Sequence, residues 1–262
     1  MQITFLGTGT SNGVPVIGCD CAVCRSSDPR DTRTRTSAVV RARGRTILID
    51  TTPELRIQAL AQGLTRVDAV LYTHAHADHI AGFDDLRSFN YLNQDRLDVY
   101  VDQLTATNIQ ERFAYAFSKP FPFYGGKPDL RLRLFEGPFS ISDIPVTPFP
   151  VGHGRWTVQG FRFNNLVYLT DAKVIPDSSL DVMRGADVLV INALRDKPHP
   201  VHLSIGEALG VIEEVRPSRA YLVHLSHEVS HAEMSKRLPP HVSLAYDGLT
   251  VGVTGCAGDG DD

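Results

Sequence analysis

The sequence predicts a layered α/β protein, and three observations support this fold class. Of the 262 residues, 42% are hydrophobic and 21% are charged, which is an ordinary globular composition with enough apolar mass for a sizeable core. Short β-branched runs alternate with helix-like segments along the whole chain. Histidine and aspartate residues follow several predicted strands, at the edge where α/β folds build ligand sites. We predict one domain over residues 1–255 and a disordered polar tail over residues 256–262.

The first half of the chain shows a regular sequence of strands and helices. Its β-branched and apolar runs predict strands at 1–6, 37–43, 46–49, 67–72 and 97–101. The second and third of these form a hairpin across Arg43-Gly44-Arg45. The predicted helices are 54–62, which stops near Gly63, and then 81–93 and 105–116.

The second half repeats this rhythm without repeating the sequence. The predicted strands are 130–135, 139–141, 146–151, 157–163, 166–169, 188–192 and 220–223. The strands 157–163 and 166–169 pair across Asn164-Asn165 as a hairpin. A helix is predicted over 204–215, because Ser204 and Glu207 have the spacing of a capping box.

Charge and hydropathy narrow the partners and the location. The formal net charge of −4 argues against broad electrostatic binding to nucleic acid or to an anionic membrane. No apolar stretch reaches the 18 residues that a membrane-spanning helix needs. The start, MQITFLGTGT, lacks the basic region of a signal peptide. We therefore expect a cytoplasmic protein, and a symmetric homodimer is the ordinary expectation for a soluble enzyme.

The segment THAHADH at 73–79 is the strongest chemical signal in the sequence. It places His74, His76, Asp78 and His79 within six residues, directly after the apolar strand 67–72. Imidazole and carboxylate groups are ligands for Zn²⁺, Mn²⁺ or iron. The alternative is a solvated polar turn with incidental histidines, and the density of ligand types favours a metal site.

Further ligand types arrive in the same way, just after predicted strands. His153 follows the strand 146–151, Asp171 follows 166–169, and His224 follows 220–223. Because these strand ends share one edge in an α/β architecture, we expect the three side chains to lie near THAHADH.

Together these motifs resemble the signature of the metallo-β-lactamase-fold hydrolases. THAHADH is followed in family order by PVGHG, YLTDA and LVHLSH, so the resemblance covers nearly the whole chain. It implies an αββα sandwich of two mixed β-sheets flanked by helices, with two metals at one edge. The ligands that the resemblance implies are His74, His76 and His153 for one metal and Asp78, His79 and His224 for the other, with Asp171 bridging them.

The resemblance also implies a role for Asp50 and a class of chemistry. Asp50 ends the strand segment ILID and would orient a ligand histidine; the alternative is a simple turn residue. Two metals about 3.5–4 Å apart can deprotonate a bridging water and neutralise charge on attacking and leaving oxygens, with Asp78 among the catalytic residues. This chemistry favours hydrolysis of phosphodiesters, although esters, lactones and thioesters also fit.

The segment CDCAVC at 19–24 indicates a second, separate metal site. Cys19, Cys21 and Cys24 supply three thiols, and a closed tetrahedral zinc site needs one more ligand. We favour His227 as the fourth ligand over His231 and over Cys256, which adjoins the polar tail. The alternative is that the thiols are reduced and hold no metal. The expected zinc is structural and pins the N-terminal loop.

The combination of both sites is most similar to the PhnP-type phosphodiesterases of the carbon–phosphorus lyase pathway. Those enzymes act on cyclic ribose phosphates and other phosphodiesters, and they bind a structural zinc through three cysteines and the second histidine of HxSH, which supports His227. They also carry a catalytic histidine before the helix that precedes the last strand, and His202 in PVHLSIGEAL stands at that point. Its expected role is proton donation or charge stabilisation. The alternatives are His199 and a loop histidine with no role.

Two segments depart from that family. FDDLRSFN at 83–90 and the aromatic run at 112–126 differ from the short form of the enzyme. The aromatic run is either a lid over the metal site or satellite core, and the second reading is favoured. Arg87 either contacts a substrate phosphate or lies on the surface.

Two other functions share part of this pattern. Ribonuclease Z-like processing of tRNA 3′ ends uses the same HxHxDH motif, but it needs a basic RNA-docking arm that this acidic sequence lacks. A non-catalytic PqqB-like carrier keeps the cysteine site but loses part of the catalytic ligand set, which is complete here. We therefore expect a metal-dependent phosphodiesterase with a small-molecule substrate, two Zn or Mn ions and one structural Zn, acting neither on nucleic acid nor at a membrane.

Overall fold

The strands of the protein form two seven-stranded sheets in a computed structural model that describes residues 1–118 and 126–254. In chain order the strands are β1 (Gln2–Gly7), β2 (Ser37–Ala42), β3 (Arg45–Ile49), β4 (Ala69–Leu71), β5 (Leu97–Val101), β6 (Leu130–Leu134), β7 (Phe139–Ile141), β8 (Ile144–His153), β9 (Trp156–Phe163), β10 (Leu166–Tyr168), β11 (Val188–Asn192), β12 (Arg219–Val223), β13 (Val242–Leu244) and β14 (Thr250–Gly252). Their spatial order is β14-β1-β2-β3-β4-β5-β6 in the first sheet and β13-β12-β11-β10-β9-β8-β7 in the second.

Both sheets are mixed, as predicted. In the first sheet β14, β1, β2 and β3 pair antiparallel, and β3, β4, β5 and β6 pair parallel. In the second sheet β7, β8, β9 and β10 pair antiparallel, and β10, β11, β12 and β13 pair parallel. The parallel strands of each sheet therefore end at a common edge.

Helices cover the outer faces of the sheets. They are α1 (Leu55–Ala61), α2 (Ala77–Ile80), α3 (Leu86–Asn93), α4 (Gln103–Arg112), α5 (Ala114–Phe117), α6 (Asp177–Met183), α7 (Ile205–Val215) and α8 (His231–Ser235), with 3-10 turns at Pro29–Asp31 and Phe83–Asp85. The predicted capping box of α7 is present, since the Ser204 hydroxyl accepts from the Glu207 N–H and the Glu207 carboxylate accepts from the Ser204 N–H.

Three apolar clusters hold the layers together. One lies between the sheets and includes Ile3, Val40 and Phe161. A second joins the first sheet to α1, α3 and α4, and a third joins the second sheet to α6, α7 and α8. The layers therefore follow the order helix, sheet, sheet, helix, which confirms the predicted αββα sandwich.

The predicted helix 81–93 is wrong over its first turns. The chain instead forms α2, then the 3-10 turn Phe83–Asp85, then α3. Gly82 explains the break, because its N–H donates to the Thr51 carbonyl at 2.9 Å and a Cβ there would lie 2.1 Å from the Thr52 carbonyl oxygen. This approach to a distant loop prevents a regular helix at this point.

Other elements differ at their ends or were not predicted. The helix predicted over 105–116 divides at Phe113 into α4 and α5. The elements α6, β13 and β14 were missed because they are short and lack a clear periodic pattern. The predicted tail 256–262 lies outside the described residues, so the division into one domain and a tail stays a prediction. In the part of the chain that is described, no helix is long and apolar enough to cross a membrane.

Candidate metal centres

Seven predicted ligands meet where strands of the two sheets end. His74 and His76 lie in the loop after β4, and Asp78 and His79 lie in α2 directly behind it. His153 ends β8, Asp171 follows β10, and His224 follows β12. The structure therefore brings together residues that are up to 150 positions apart in the sequence.

The first ligand set consists of His74, His76 and His153. One nitrogen from each lies within 4.8 Å of the others, and the His74 Nε2 lies 3.0 Å from the His76 Nδ1. The His153 Nδ1 lies 2.8 Å from the Val201 carbonyl oxygen, which can only accept, so the His153 Nε2 carries the free lone pair. Burial lowers the pKa of His74 and of His76. This favours the neutral form of His74 and His76, which can donate a lone pair to a metal.

The second ligand set consists of Asp78, His79, Asp171 and His224, whose ligand atoms also lie within 4.8 Å of one another. The His79 Nε2 lies 3.2 Å from Asp78 Oδ2 and 3.3 Å from Asp171 Oδ2, but it is buried and has no hydrogen-bond partner. Burial lowers the pKa of His79, but three carboxylates, Asp78 first, outweigh it and hold that pKa well above its usual range. The carboxylates around His79 therefore favour a bound cation at this position.

Asp171 belongs to both sides of the site. Its Oδ2 faces His79, and its Oδ1 lies 3.3 Å from the His224 Nε2. A ligand atom of Asp171 also groups with His153 of the first set and with His202. Its carboxylate is buried, which raises its pKa, but the neighbouring His224 and His79 hold the pKa well below the usual range. An ionised Asp171 therefore stands where a bridging ligand is required.

Asp50 holds His79 in place. It is fully buried, and its carboxylate accepts from the Thr73 N–H and the Thr73 hydroxyl at 2.8 Å each. The His79 Nδ1 lies 2.7 Å away from the same carboxylate, which leaves the His79 Nε2 directed at the ligand set. Burial raises the pKa of Asp50, and the contacts with His79 and Thr73 offset part of this rise.

Three residues at these strand ends have a strained backbone. Asp50, Asp171 and His224 have φ angles of 61°, 56° and 60°, in the left-handed region that non-glycine residues seldom adopt. Strain of this kind persists where the surrounding structure fixes it, and it is typical of functional sites. No pattern in the sequence predicted these left-handed φ angles.

The residues present fit two divalent cations. The donors are imidazoles and carboxylates, and a metal binds the imidazoles in their neutral form and the carboxylates in their ionised form. Buried carboxylates without a compensating cation are costly, and the buried His79 Nε2 makes no hydrogen bond with the two carboxylates beside it. Both features are resolved by a metal in each ligand set.

The thiol cluster forms a separate centre. Ligand atoms of Cys19, Cys21, Cys24 and His227 lie within 4.8 Å of one another, and the His227 Nδ1 is 3.2 Å from the Cys19 Sγ. The Cys24 N–H donates to the Cys21 Sγ, and with His227 it lowers the pKa of Cys21 to about 6. Four donors of this type fit a closed tetrahedral zinc site.

The other candidates for the fourth ligand lie elsewhere. His231 begins α8 and packs against the Tyr246 ring at 5.8 Å, outside the thiol cluster. Cys256 is outside the described residues. The geometry therefore brings His227 to the thiols, as the sequence suggested.

Comparison with known proteins places the chain in a family. A model of the beta-lactamase superfamily domain matches residues 45–225, more than half of the chain. A solved diphosphatase from the PhnP family is 39% identical, with a TM-score of 0.90, over 97% of this chain and 98% of that chain. The chain belongs to the PhnP family. It is a metallo-β-lactamase-fold hydrolase of PhnP type.

Two other proteins are similar to this PhnP-family chain. A protein of Porphyromonas gingivalis named octanoyltransferase is 41% identical over 255 residues, which are 95% of this chain and 51% of that protein. The chain thus spans about half the length of this relative. Zn²⁺-bound PqqB from Methylobacterium extorquens has a TM-score of 0.77 at 18% identity, over 97% of this chain and 100% of that one, and shares the fold.

His202 lies at the mouth of the metal site in the PhnP-family chain. Its ring centroid is 4.7 Å from that of His153 and 4.8 Å from that of His224, so it faces both ligand sets. Its Nδ1 is buried without a hydrogen-bond partner and lies 3.6 Å from Asp171 Oδ1. Burial, and then the charge of His224, lower the pKa of His202 to about 3. This lowered pKa favours the neutral imidazole of His202.

The remaining predicted residues lie further out. His199 stacks on His202 at 5.1 Å and is more exposed. Arg87 pairs with Asp84 at 2.7 Å on the surface, so substrate contact by Arg87 stays a prediction. In the aromatic run, Phe113 stacks on the buried Phe83 at 4.5 Å, which supports satellite core for this part. Residues 119–125 of that run lie outside the described chain.

Sequence reasoning missed the hydroxyls that surround the ligands. Thr10 Oγ1 lies 3.2 Å from the His224 Nε2, and Thr36 Oγ1 lies 3.3 Å from the His224 Nδ1. Thr73 Oγ1 lies 3.0 Å from the His74 Nδ1. The glycine turn around Thr10 was visible, but its contact with a histidine 214 positions away was not.

Proposed function

We propose that this chain is a dinuclear metal-dependent phosphodiesterase that acts on small or cyclic phosphodiesters. One observation carries the proposal: the buried carboxylate of Asp171 contacts His79 and His224 of the second ligand set and also groups with His153 of the first. Support also comes from the PhnP-family relative, whose diphosphatase activity is likewise a cleavage at phosphorus. The substrate is a small molecule, and the thiol site requires a reducing compartment such as the cytoplasm.

The proposed metal ligands follow from the two sets. His74, His76 and His153 would hold one ion, and Asp78, His79 and His224 would hold the other. Asp171 would contact both. A divalent metal pair, when bound, supplies Lewis acidity and lowers the pKa of water. Zn²⁺ and Mn²⁺ both accept this donor set.

The chain's own residues orient the reacting groups. Asp50 and the Val201 carbonyl fix the tautomers of His79 and His153, so the ligand nitrogens point inward before any ion arrives. His202 faces the space between the two sets, where its N–H can donate a hydrogen bond to a phosphoryl or leaving-group oxygen. Because its imidazole is neutral, stabilisation of charge suits it better than transfer of a proton from an imidazolium.

The thiol centre has a different role in this proposal. With four protein donors it leaves no open position for a substrate, so a zinc there would be structural. It would tie the N-terminal loop of Cys19–Cys24 to His227, three residues after the ligand His224.

Hydrolysis of bis(p-nitrophenyl) phosphate tests the proposal. The purified protein is assayed with and without added Mn²⁺, beside p-nitrophenyl phosphate and an octanoyl thioester. We expect metal-dependent turnover of the diester that exceeds turnover of the monoester and the thioester. Asp171→Asn should remove this activity, whereas His241→Gln, which changes an exposed histidine in the loop before β13, should keep it.

Each other outcome points to a different function. Turnover of the thioester alone would replace the diester with an acyl substrate and would agree with the name of the Porphyromonas gingivalis relative. No turnover of any substrate by fully metal-loaded protein would contradict the proposal and favour a PqqB-like carrier. A precursor tRNA is assayed on the same samples, and cleavage of its 3′ extension without cleavage of the small diester would favour a ribonuclease Z-like function.

A further inference from the structure

The single tryptophan of the chain lies beside the first ligand set. Trp156 begins β9, and it stands directly opposite His153 in the antiparallel pair of β8 and β9. Residues opposite each other in such a pair project to the same face of the sheet. The turn between them holds only Gly154 and Arg155, so the backbone fixes Trp156 next to the ligand His153.

The indole ring also touches a second ligand histidine. Its centroid lies 5.3 Å from that of His76, with the two planes at 72°. Trp156 is only partly buried, whereas Val158, the next residue on the same face of β9, is fully buried. A large apolar ring that stays partly open at a metal site is placed to contact a ligand rather than to fill the core.

One cationic side chain lies beside the ring, and another contacts the loop that carries His74 and His76. The guanidinium carbon of Arg155 lies 6.0 Å from the indole centroid and is solvent-exposed. The Arg112 Nη1 donates to the carbonyl of Ala75, the residue between His74 and His76. An anionic group held at the metal site would therefore have an aromatic ring with an adjacent arginine beside it.

We propose that Trp156 stacks a planar aromatic group of the substrate while the phosphoryl group lies between the two ligand sets. This inference rests on the proposed function and adds a substrate class to it: phosphoric esters or anhydrides that carry an aromatic ring, such as a nucleobase. Trp156 is then a specificity-determining residue. Every base has a flat face, so stacking favours aromatic substrates without selecting one base.

Binding of two products by the Mn²⁺-loaded protein tests the inference. Adenosine monophosphate carries a phosphate, a ribose and an aromatic ring, and ribose 5-phosphate carries only the first two groups. We expect adenosine monophosphate to bind about tenfold more tightly and to quench the fluorescence of Trp156, the only tryptophan. Ribose 5-phosphate should bind without comparable quenching.

Variants separate stacking from packing. In calorimetric titrations, Trp156→Leu should bring the ratio of the two affinities to about one, and Trp156→Phe should retain part of the preference. Tyr91→Leu removes an exposed aromatic ring on α3 and serves as the matched control, with an unchanged ratio. Circular dichroism confirms that each variant is folded, and Trp156→Phe keeps the test informative if Trp156→Leu is not.

The inference is overturned in three ways. Wild-type protein that fails to bind adenosine monophosphate, or binds both ligands equally, has no aromatic subsite. An unchanged ratio in Trp156→Leu places the subsite elsewhere. Equal weakening of both ligands in Trp156→Leu shows that the ring only positions His76.

Turnover of the diester is measured on the same samples. Diester hydrolysis without a preference for adenosine monophosphate removes only this inference. A Trp156-dependent preference without hydrolysis keeps the stacking site and removes the proposed function.

Discussion

Single buried residues prepare the ligand atoms before any metal binds. Asp50 shows this, because its carboxylate accepts from Thr73 and directs His79 through a contact of 2.7 Å. Its φ of 61° is a conformation that asparagine also tolerates, so Asp50→Asn removes the charge with little change in backbone strain.

We expect Asp50→Asn to weaken the affinity of one of the two active-site metals by about 10- to 100-fold, because an amide orients the imidazole less strongly. Metal titration followed by calorimetry measures the effect. Asp143→Asn, which changes a carboxylate paired with Arg43 on the surface, is the control. Unchanged binding of both metals in Asp50→Asn would remove its orienting role.

His202 tests the separation between binding a metal and stabilising the reaction. We expect His202→Ala to keep both active-site metals and to lose most turnover, since the residue faces both ligand sets without belonging to either. Metal content and diester turnover are measured on the same sample, with His199→Ala as the neighbouring control. His202 also groups with His153 and Asp171, so it could itself bind a metal. Equal loss of metal and turnover in His202→Ala would show that it is a ligand.

Among the structural elements, the loop after β12 connects the candidate dinuclear site with the thiol centre. It carries His224 for one centre and His227 for the other. The buried Arg33 side chain holds this loop, donating to the carbonyls of Ser226 at 3.1 Å and Val229 at 2.8 Å. Asp31 pairs with the same guanidinium at 2.9 Å.

Arg33→Met should therefore destabilise the fold and loosen the thiol centre. Removing one partner of a buried ion pair costs about 3–5 kcal/mol, because the remaining charge is left uncompensated. Urea denaturation measures the loss, and reaction of the cysteines with a thiol reagent reports the thiol centre. Arg30→Met, whose guanidinium pairs with Asp28 at the surface, should change both little. An Arg33→Met protein as stable as wild type would contradict this role.

Elements with local causes were predicted well, and those with distant causes were not. The hairpin across Asn164-Asn165 and the capping box at Ser204 depend on neighbouring residues, and both are present. The break at Gly82 depends on contact with Thr51 and Thr52, which no pattern within the helix reveals.

The candidate site also combines features with local causes, which were predicted, and features with distant causes, which were not. Its ligand types stood out in the sequence because each motif follows a strand. The tautomers, the strained φ angles and the place of Trp156 depend on how the two sheets meet, so only the structure shows them.

The whole molecule places two candidate metal centres close together, since His224 and His227 lie in one loop, and the two should respond differently to chelation. The proposed dinuclear site would leave room for a substrate, so a chelator should reach its ions. The thiol centre has four protein donors and would release zinc slowly. Dialysis against EDTA should therefore remove two metals per chain and all diester turnover, while one zinc stays bound. Added Mn²⁺ should restore turnover to the same protein, with metal content measured by plasma mass spectrometry at each step.

A mercurial that blocks Cys19, Cys21 and Cys24 should then release the remaining zinc and lower the unfolding temperature, because the N-terminal loop loses its tie to His227. Simultaneous loss of all metals to EDTA would show that the thiol centre is open. Freshly purified protein that holds no third metal before EDTA treatment would make the thiols a cluster without metal.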